Sequence, residues 1–259
     1  SAAVRVDVDD VTSSGGIVVP CLLDALGVNE VVKVYCEPNG LFPHNPEPLP
    51  ENLTELSAAV VKHNAHVGFA VDPDVDRLAI VCEDGECFGE EYTLVAVADY
   101  VLSANPGNTV SNLSSSQALR DITLPHGGTW FSSAVGEIHV VELMKLHKAV
   151  IGGEGNGGVI YPPLHYGRDA LAGIALFLSH LAIFGKTCSL LRKKYPSYSL
   201  SKNKVELPAD ADISGILDKL ALQYARQDVN RTDGLKIWFG NEWVHLRRSN
   251  TEPIIRIYA

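Results

Sequence analysis

The sequence predicts an α/β protein built from two consecutive mixed-sheet α/β domains and a small α+β C-terminal domain. Three observations carry that reading. Between residues 1 and 88, short apolar runs of strand character alternate with segments of helical periodicity, the pattern of strands joined by crossover helices. A second alternation of similar size begins at about Gly89. After KKYPSYSLSKNK the texture changes to one helix and closely spaced strands, so boundaries are expected at 1–88, 89–196 and 197–259.

In order, VRVDV reads as a strand, IVVPCLLDALG as a helix ending at Gly27, VVKVYCE as a strand, LTELSAAVVKHNA as a helix and HVGFAV as a strand. The proline-rich FPHNPEPLPENL is an irregular connection. LAIVCEDGECF reads as a hairpin around Asp84-Gly85, a two-residue turn that sets Cys82 opposite Cys87. The second block has a helix in EEYTLVAVADYVL, a strand in TVSNLS, a helix in SQALRDI and an irregular HGGTWFSS. It continues with the helix GEIHVVELMKL, the strand AVI and the helix ALAGIALFLSHLAIF, which is too short to span a bilayer comfortably and reads as buried. KVEL, ISGILDKLALQYA, LKIWF, EWVHL and IIRIYA form the α+β tail with antiparallel hairpins. No short repeat or low-complexity tract occurs, but the two α/β blocks have the size of a duplication.

The formal net charge of −10 argues against a nucleic acid or an anionic membrane as the main partner. It leaves room for a small anionic ligand where basic residues gather. Five cysteines without a C-x-x-C pair fit reduced thiols. SAAVRVDVDD lacks the apolar core of a signal peptide, so a cytoplasmic location is expected. The nine histidines show no metal-ligand spacing, and no G-x-S-x-G elbow occurs.

Three loops carry chemistry. In VGFAVDPDVDRLAIV, Asp72, Asp74 and Asp76 alternate between two apolar runs, with Arg77 behind them. Alternate carboxylates in an extended segment lie roughly 6–7 Å apart on one side. A turn at Pro73 would converge them into the all-oxygen donor set that Mg²⁺ takes. A solvated acidic turn would have the same composition. In IGGEGNGGVIYP, glycines around Glu154 and Asn156 permit close backbone approach and leave an acid and an amide for a hydroxyl-rich ligand. Read alone, the string is equally a flexible hairpin. In VHLRRSNTEPIIRIY, Arg247, Arg248, Ser249, Asn250, Thr251 and Arg256 form the densest donor cluster of the chain, suited to phosphate oxygens or to a plain charged hairpin. TSSGG, after a strand and before a helix, could receive an anion or be a simple turn.

DPDVDR, GGEGNGG and RRSNTEP, in that order, resemble the α-D-phosphohexomutase family. The resemblance covers essentially the whole chain and implies the phosphohexomutase type of α/β domain. It implies that Asp72, Asp74 and Asp76 hold Mg²⁺ with Arg77 in support, and that Glu154, Asn156 and Gly157 form the sugar site. Arg247, Ser249, Asn250, Thr251 and Arg256 would bind the substrate phosphate that is not being transferred. The implied activity is isomerisation of hexose 1-phosphate and hexose 6-phosphate through a phosphoserine.

No T-A-S-H-N-P-like loop occurs in this sequence; the nearest string, FPHNP, has Pro43 where the serine belongs. The expected partner is therefore a further N-terminal domain of the same protein, and this chain alone is expected to bind without turnover. Ser133-Ala134 precedes Val135-Gly136 where relatives often have a basic residue, and GEGNGG replaces G-E-x-S-G-H, so the motifs name neither the hexose nor the general base. Two other readings use the same residues. Asp72-Pro73-Asp74-Val75 matches the nucleophile motif of haloacid-dehalogenase-type phosphatases, which normally follows the first strand and leads toward a helix or cap. A non-catalytic sugar-phosphate-binding module would need the same three loops.

Overall fold

Valine-rich β1 (Arg5–Asp9) is the centre from which the first unit is built, with Val6 and Val8 wholly buried. The computed structural model describes residues 4–208, 211–240, 242–249 and 254–259. After β1 come α1 (Gly15–Ala25), β2 (Glu30–Val34), α2 (Thr54–His63), β3 (Val67–Val71) and β4 (Leu78–Cys82). They form a sheet of order β2-β1-β3-β4, parallel except for β4. The second unit has α3 (Glu90–Ala104), β5 (Thr109–Asn112), α4 (Ala118–Thr123), β6 (Trp130–Ser133), α5 (Glu137–His147), β7 (Ile151–Glu154) and β8 (Gly158–Ile160). Its sheet order is β6-β5-β7-β8, again parallel with one antiparallel edge. The two sheets repeat one topology, which agrees with the expected duplication.

The apolar helix α6 (Ala170–Phe184) belongs to both units. Phe177 packs edge-on against Phe69 of β3 at 6.1 Å between ring centres and against Phe88 at 5.2 Å. A helix that is apolar on most sides must be covered on most sides, and here a single core runs from Val6 and Leu23 through Phe88 and Val95 to Ile174. Asp169 starts the helix by accepting the Ala172 amide at 3.0 Å, and Gly185 ends it in the left-handed conformation. No helix among the described residues is long and apolar enough to cross a membrane.

After α7 (Cys188–Arg192) the chain enters the third unit: β9 (Lys202–Glu206), α8 (Ile213–Gln223), β10 (Asp228–Asn230), β11 (Leu235–Phe239), β12 (Glu242–Arg248) and β13 (Ile254–Tyr258). Its antiparallel sheet has the order β10-β11-β12-β13-β9. One face carries Leu235, Ile237 and Leu246 against Leu217 and Leu220 of α8. The opposite face carries the polar residues, among them Lys236, His245, Arg247 and Arg256.

Several local expectations shift. HGGTWFSS is not wholly irregular, because Trp130–Ser133 pairs with β5 as the parallel edge strand β6. The strand expected at AVI starts at Ile151 and runs on to Glu154, carrying that carboxylate out of the loop. β2 stops at Val34, since Tyr35 adopts a φ of 50°. The hairpin after β4 is one residue out of the expected register. The Cys82 amide donates to the Glu86 carbonyl at 2.8 Å and Val81 bridges Cys87, so three residues turn the chain with Gly85 at φ 84°. Cys82 therefore does not face Cys87, and both are free thiols.

The link to the third unit is tied down at Asp99, buried on α3. Its carboxylate accepts from Lys194 Nζ at 2.6 Å, Tyr195 OH at 3.0 Å and His126 Nε2 at 3.1 Å. Burial pushes this carboxyl up, but hydrogen bonds from His180, Lys194 and His126 outweigh it and hold it far below the usual range. A depressed carboxylate contributes stability above its unfolded pKa and loses it as the pH falls through the folded value. Asp99→Asn should cost ~2 kcal/mol at pH 7. The gap from wild type should close as the pH drops below about 4. Urea unfolding at both pH values checks this, and a gap that persists in acid refutes it.

Candidate functional site

β3 delivers the aspartate loop to the carboxyl edge of its sheet, beside β1, where the connections diverge and ligands of open α/β sheets collect. Asp72-Pro73-Asp74-Val75 forms a turn closed by the Val75 amide on the Asp72 carbonyl at 3.0 Å. Val75 has a φ of 60°, a costly conformation for a β-branched residue. The Asp72 carboxylate reinforces the curl, with Oδ1 accepting the amides of Asp76 at 3.0 Å and Arg77 at 2.9 Å. Thus the three carboxylates do not splay as in a strand: one oxygen of each lies within 4.8 Å of the others. Ser14 Oγ donates to the Pro73 carbonyl at 3.3 Å, so the TSSGG segment braces this turn.

Burial differs along the loop, from Asp72 buried through Asp76 half-buried to Asp74 exposed. Burial raises the Asp72 carboxyl, but the Arg77 amide and guanidinium outweigh it and hold it below the usual range; Arg77 Nε lies 2.6 Å from Oδ2. Asp76 goes the other way. Burial pushes it up to about 6, with Arg168 opposing and Asp72 and Asp74 adding like-charge repulsion. Converging oxygen donors that repel one another fit a hard divalent cation.

The glycine-rich loop is the turn of the β7–β8 hairpin, and it lies directly against the aspartate loop. Leu78 donates its amide to the Gly157 carbonyl at 3.1 Å, and Arg77 bridges Gly158. Gly157, at φ 90°, is required by this approach: a Cβ there would stand 2.4 Å from the Leu78 carbonyl oxygen. Glu154 is buried, and its carboxylate accepts from Asn112 Nδ2 at 2.7 Å, the Gly136 amide at 3.2 Å and Arg168 Nη1 at 3.0 Å. Of about four lone-pair positions on a carboxylate, these bonds leave little for a ligand unless one exchanges. Asn156 Oδ1 accepts the Gly158 amide at 3.2 Å and the residue is half-buried.

Arg168, which the motifs do not include, joins the two loops. It donates to Asp76 and to Glu154, and its Nε stands 3.1 Å from Glu137. Its only trace in the sequence is a lone arginine before the Asp169 cap. Asn112, at the end of β5, is the other residue missed, since it holds Glu154 only through the tertiary fold.

The third sheet brings the arginine cluster to the same side of the second unit. Arg247 Nε lies 3.1 Å from Asp233 Oδ2, which also accepts the Val135 amide at 3.0 Å. Across neighbouring strands Arg247 faces Arg256, and Arg256 faces Lys204. Like charges directly opposite are destabilising, and the Asp233 carboxylate offsets part of that cost at Arg247. Ser249 is buried and donates its amide to Ile254 at 3.0 Å, and Arg248 points to the exposed side. Asn250 and Thr251 lie outside the described residues.

Two family models match, described as phosphoglucomutase/phosphomannomutase alpha/beta/alpha domain II over residues 1–85 and domain III over residues 89–198. A phosphoglucomutase/phosphomannomutase of Thermococcus kodakarensis is 36% identical over 256 residues, covering 97% of this chain and 56% of its own length. A probable phosphoglucosamine mutase of Methanopyrus kandleri is 33% identical, covering 98% of this chain and 56% of its own. The crystal structure of a phosphoglucomutase/phosphomannomutase family protein from Burkholderia thailandensis superposes with a TM-score of 0.87 at 28% identity, covering 98% of this chain and 56% of the other. This chain thus spans little more than half the length of the relatives it matches. With its repeated α/β units, its antiparallel third sheet and its ordered loops, the chain belongs to the phosphoglucomutase/phosphomannomutase family of α-D-phosphohexomutases.

Proposed function

We propose that the chain supplies the metal-, sugar- and phosphate-holding parts of a mutase that interconverts hexose 1-phosphate and hexose 6-phosphate, the hexose being glucose, mannose or glucosamine. The observation that carries this reading is the junction of aspartate loop and glycine hairpin, where Leu78 bonds Gly157 and Arg168 spans Asp76 and Glu154. In this proposal residues 1–88 carry the metal loop, 89–196 the sugar loop and 197–259 the phosphate cluster. A cytoplasmic setting, consistent with free thiols at all five cysteines, belongs to the same proposal.

Asp72, Asp74 and Asp76 would hold Mg²⁺, which when bound neutralises charge on a transferring phosphoryl group. Arg77 fixes the rotamer of Asp72. Glu154 and Asn156 orient the sugar through its hydroxyls, while Gly157 keeps the hairpin against Leu78. Arg247, Arg256 and Ser249, together with Asn250 and Thr251, hold the phosphate that stays on the sugar. A fixed phosphate and a fixed sugar ring present the other hydroxyl in one place, which is how positioning lowers a phosphoryl-transfer barrier. The phosphoserine that exchanges the phosphoryl group would lie in a part of the protein other than these 259 residues.

The phosphatase reading is disfavoured by two observations. Asp72 follows the third strand of its unit and the chain returns as antiparallel β4, without a helix or cap. Both Asp72 oxygens are also engaged by the amides of Asp76 and Arg77 and by the Arg77 guanidinium, an arrangement that restrains a nucleophile. The binding-module reading shares every contact and differs only in turnover.

Mg²⁺ at a hundredfold excess over its dissociation constant should stabilise the chain by ~2.7 kcal/mol. Asp74→Asn, a change at an exposed side chain, should remove that gain and leave the metal-free Tm in place. A wild-type Tm indifferent to Mg²⁺ refutes the metal assignment. By calorimetry, glucose 1-phosphate and glucose 6-phosphate should both bind, and Arg247→Ala should weaken both by roughly 10- to 100-fold, the worth of a charged hydrogen bond. Arg168→Met should cost about 2–3 kcal/mol of stability, less than breaking a fully buried pair because its side chain is 20% exposed. Equal unfolding midpoints for wild type and Arg168→Met would contradict its bridging role.

A further inference from the structure

Lys236, in the middle of β11, is wholly buried, a rare state for a lysine. Its ammonium stands 3.7 Å above the ring centre of Trp243 and 5.1 Å from that of Trp238. Its hydrogen bond runs out of the third unit, to the Leu113 carbonyl in the second at 2.6 Å. Burial pushes the ammonium down to about 7, with the negative charge of Glu91 opposing. An apolar side chain would pack there at less cost, so the position calls for a reason.

The reason lies in what Leu113 is attached to. On its N-terminal side, Asn112 donates to Glu154 at 2.7 Å. On its C-terminal side, Ser115 Oγ accepts the Gly155 amide at 3.0 Å and donates back to Asn112 Oδ1 at 2.9 Å. The Ser116 amide donates at 2.9 Å to Glu91, whose carboxylate lies so close under Gly155 that a Cβ there would come within 1.9 Å of it. Ser114 Oγ meets His245 Nδ1 at 3.1 Å, and His245 is the residue directly opposite Lys236 on β12. One rung of the third sheet, Lys236 and His245, therefore grips residues 113 and 114 from one side. Residues 112, 115 and 116 support the glycine hairpin from the other.

We infer that Lys236 is a positioning residue that sets Glu154 and Gly155 through the Asn112–Ser116 segment, coupling the seating of the third sheet to the geometry of the glycine hairpin. Arg247 lies two residues beyond His245 on the same face of β12, so the phosphate cluster and the hairpin are tied through this rung. For a bound hexose phosphate this consequence rests on the functional reading above: a phosphate held by the third sheet would favour the hairpin conformation that receives the sugar.

Amide hydrogen exchange on this chain tests the coupling without any ligand. Lys236→Met keeps the length of the side chain and removes the donor. It should accelerate exchange at Gly155 and Ser116 by roughly tenfold or more while Val97 of α3 and Ile237 of β11 stay protected, as expected of a local opening. Lys236→Arg, which keeps a donor, should restore protection at Gly155 and Ser116. Unchanged exchange at these two amides in Lys236→Met overturns the inference. If the methionine variant also loses protection at Ile237, the arginine variant decides: Ile237 protected with Gly155 still exposed overturns it, and both protected supports it. Calorimetry with glucose 1-phosphate separates the two readings. A wild-type chain that binds none of it refutes the functional reading and leaves the exchange result standing.

Discussion

The guanidinium of Arg168 is the constraint on which the site depends. The aspartate loop and the glycine hairpin come from different sheets, and each brings carboxylates to the place where they meet. Without a cation between them, Asp76, Glu154 and Glu137 would repel one another across the junction. Arg168 contacts all three. It is itself seated by geometry: Asp169 caps α6, and α6 is wedged between the two units by Phe177. The apolar packing of one helix thus fixes a charged bridge at its N-terminal end. A planar fork suits the task better than an ammonium, because several carboxylates approach it from different directions.

The duplicated topology explains why loops distant in sequence converge. In each sheet the third strand in chain order, β3 or β7, pairs antiparallel with the next, and the tight connection between them carries the polar motif. The aspartate loop and the GEGNGG turn are therefore equivalent positions of a repeated unit. The shared core brings the two turns together, and the Leu78–Gly157 hydrogen bond joins them. Backbone contact this close leaves no room for a side chain on Gly157, so the glycine there belongs to the packing of the loops as much as to any ligand.

Much of this was legible from the sequence, and the limits have physical causes. Strands such as VRVDV and HVGFAV and the helix at Ala170 announce themselves by local pattern, which burial enforces. The three loops could be read because their chemistry is written in consecutive residues. The convergence of Asp72, Asp74 and Asp76 could only be guessed from Pro73, because it depends on Val75 adopting a conformation that valine disfavours. Arg168, Asn112, Glu91 and Lys236 have no local signature at all. Their roles arise from contacts across 14 to 123 positions of chain, as in Arg168 to Glu154 or Lys236 to Leu113. The one-residue slip at Cys82 and Cys87 is a different failure: Asp-Gly allows both two- and three-residue turns, and the left-handed Gly85 fits the longer one.

The chain is acidic overall at −10, yet Arg247, Arg256 and Lys204 stand in a row across three strands of one sheet. Side by side such residues cost stability. The Asp233 carboxylate, which also holds the Val135 amide of the second unit, offsets part of that cost and points the row toward the seam between the units. An anion bound there would add to that compensation. The aspartate loop has the reverse problem, with its repulsion relieved by a cation. A ligand that brings a phosphate to the arginines and a divalent ion at the aspartates would cancel both strains at once. The two sites are joined by a continuous series of contacts, from Asp76 through Arg168 and Glu154 to the Gly136 amide, and from the neighbouring Val135 amide through Asp233 to Arg247, so the acidic loop and the basic row are held in one framework.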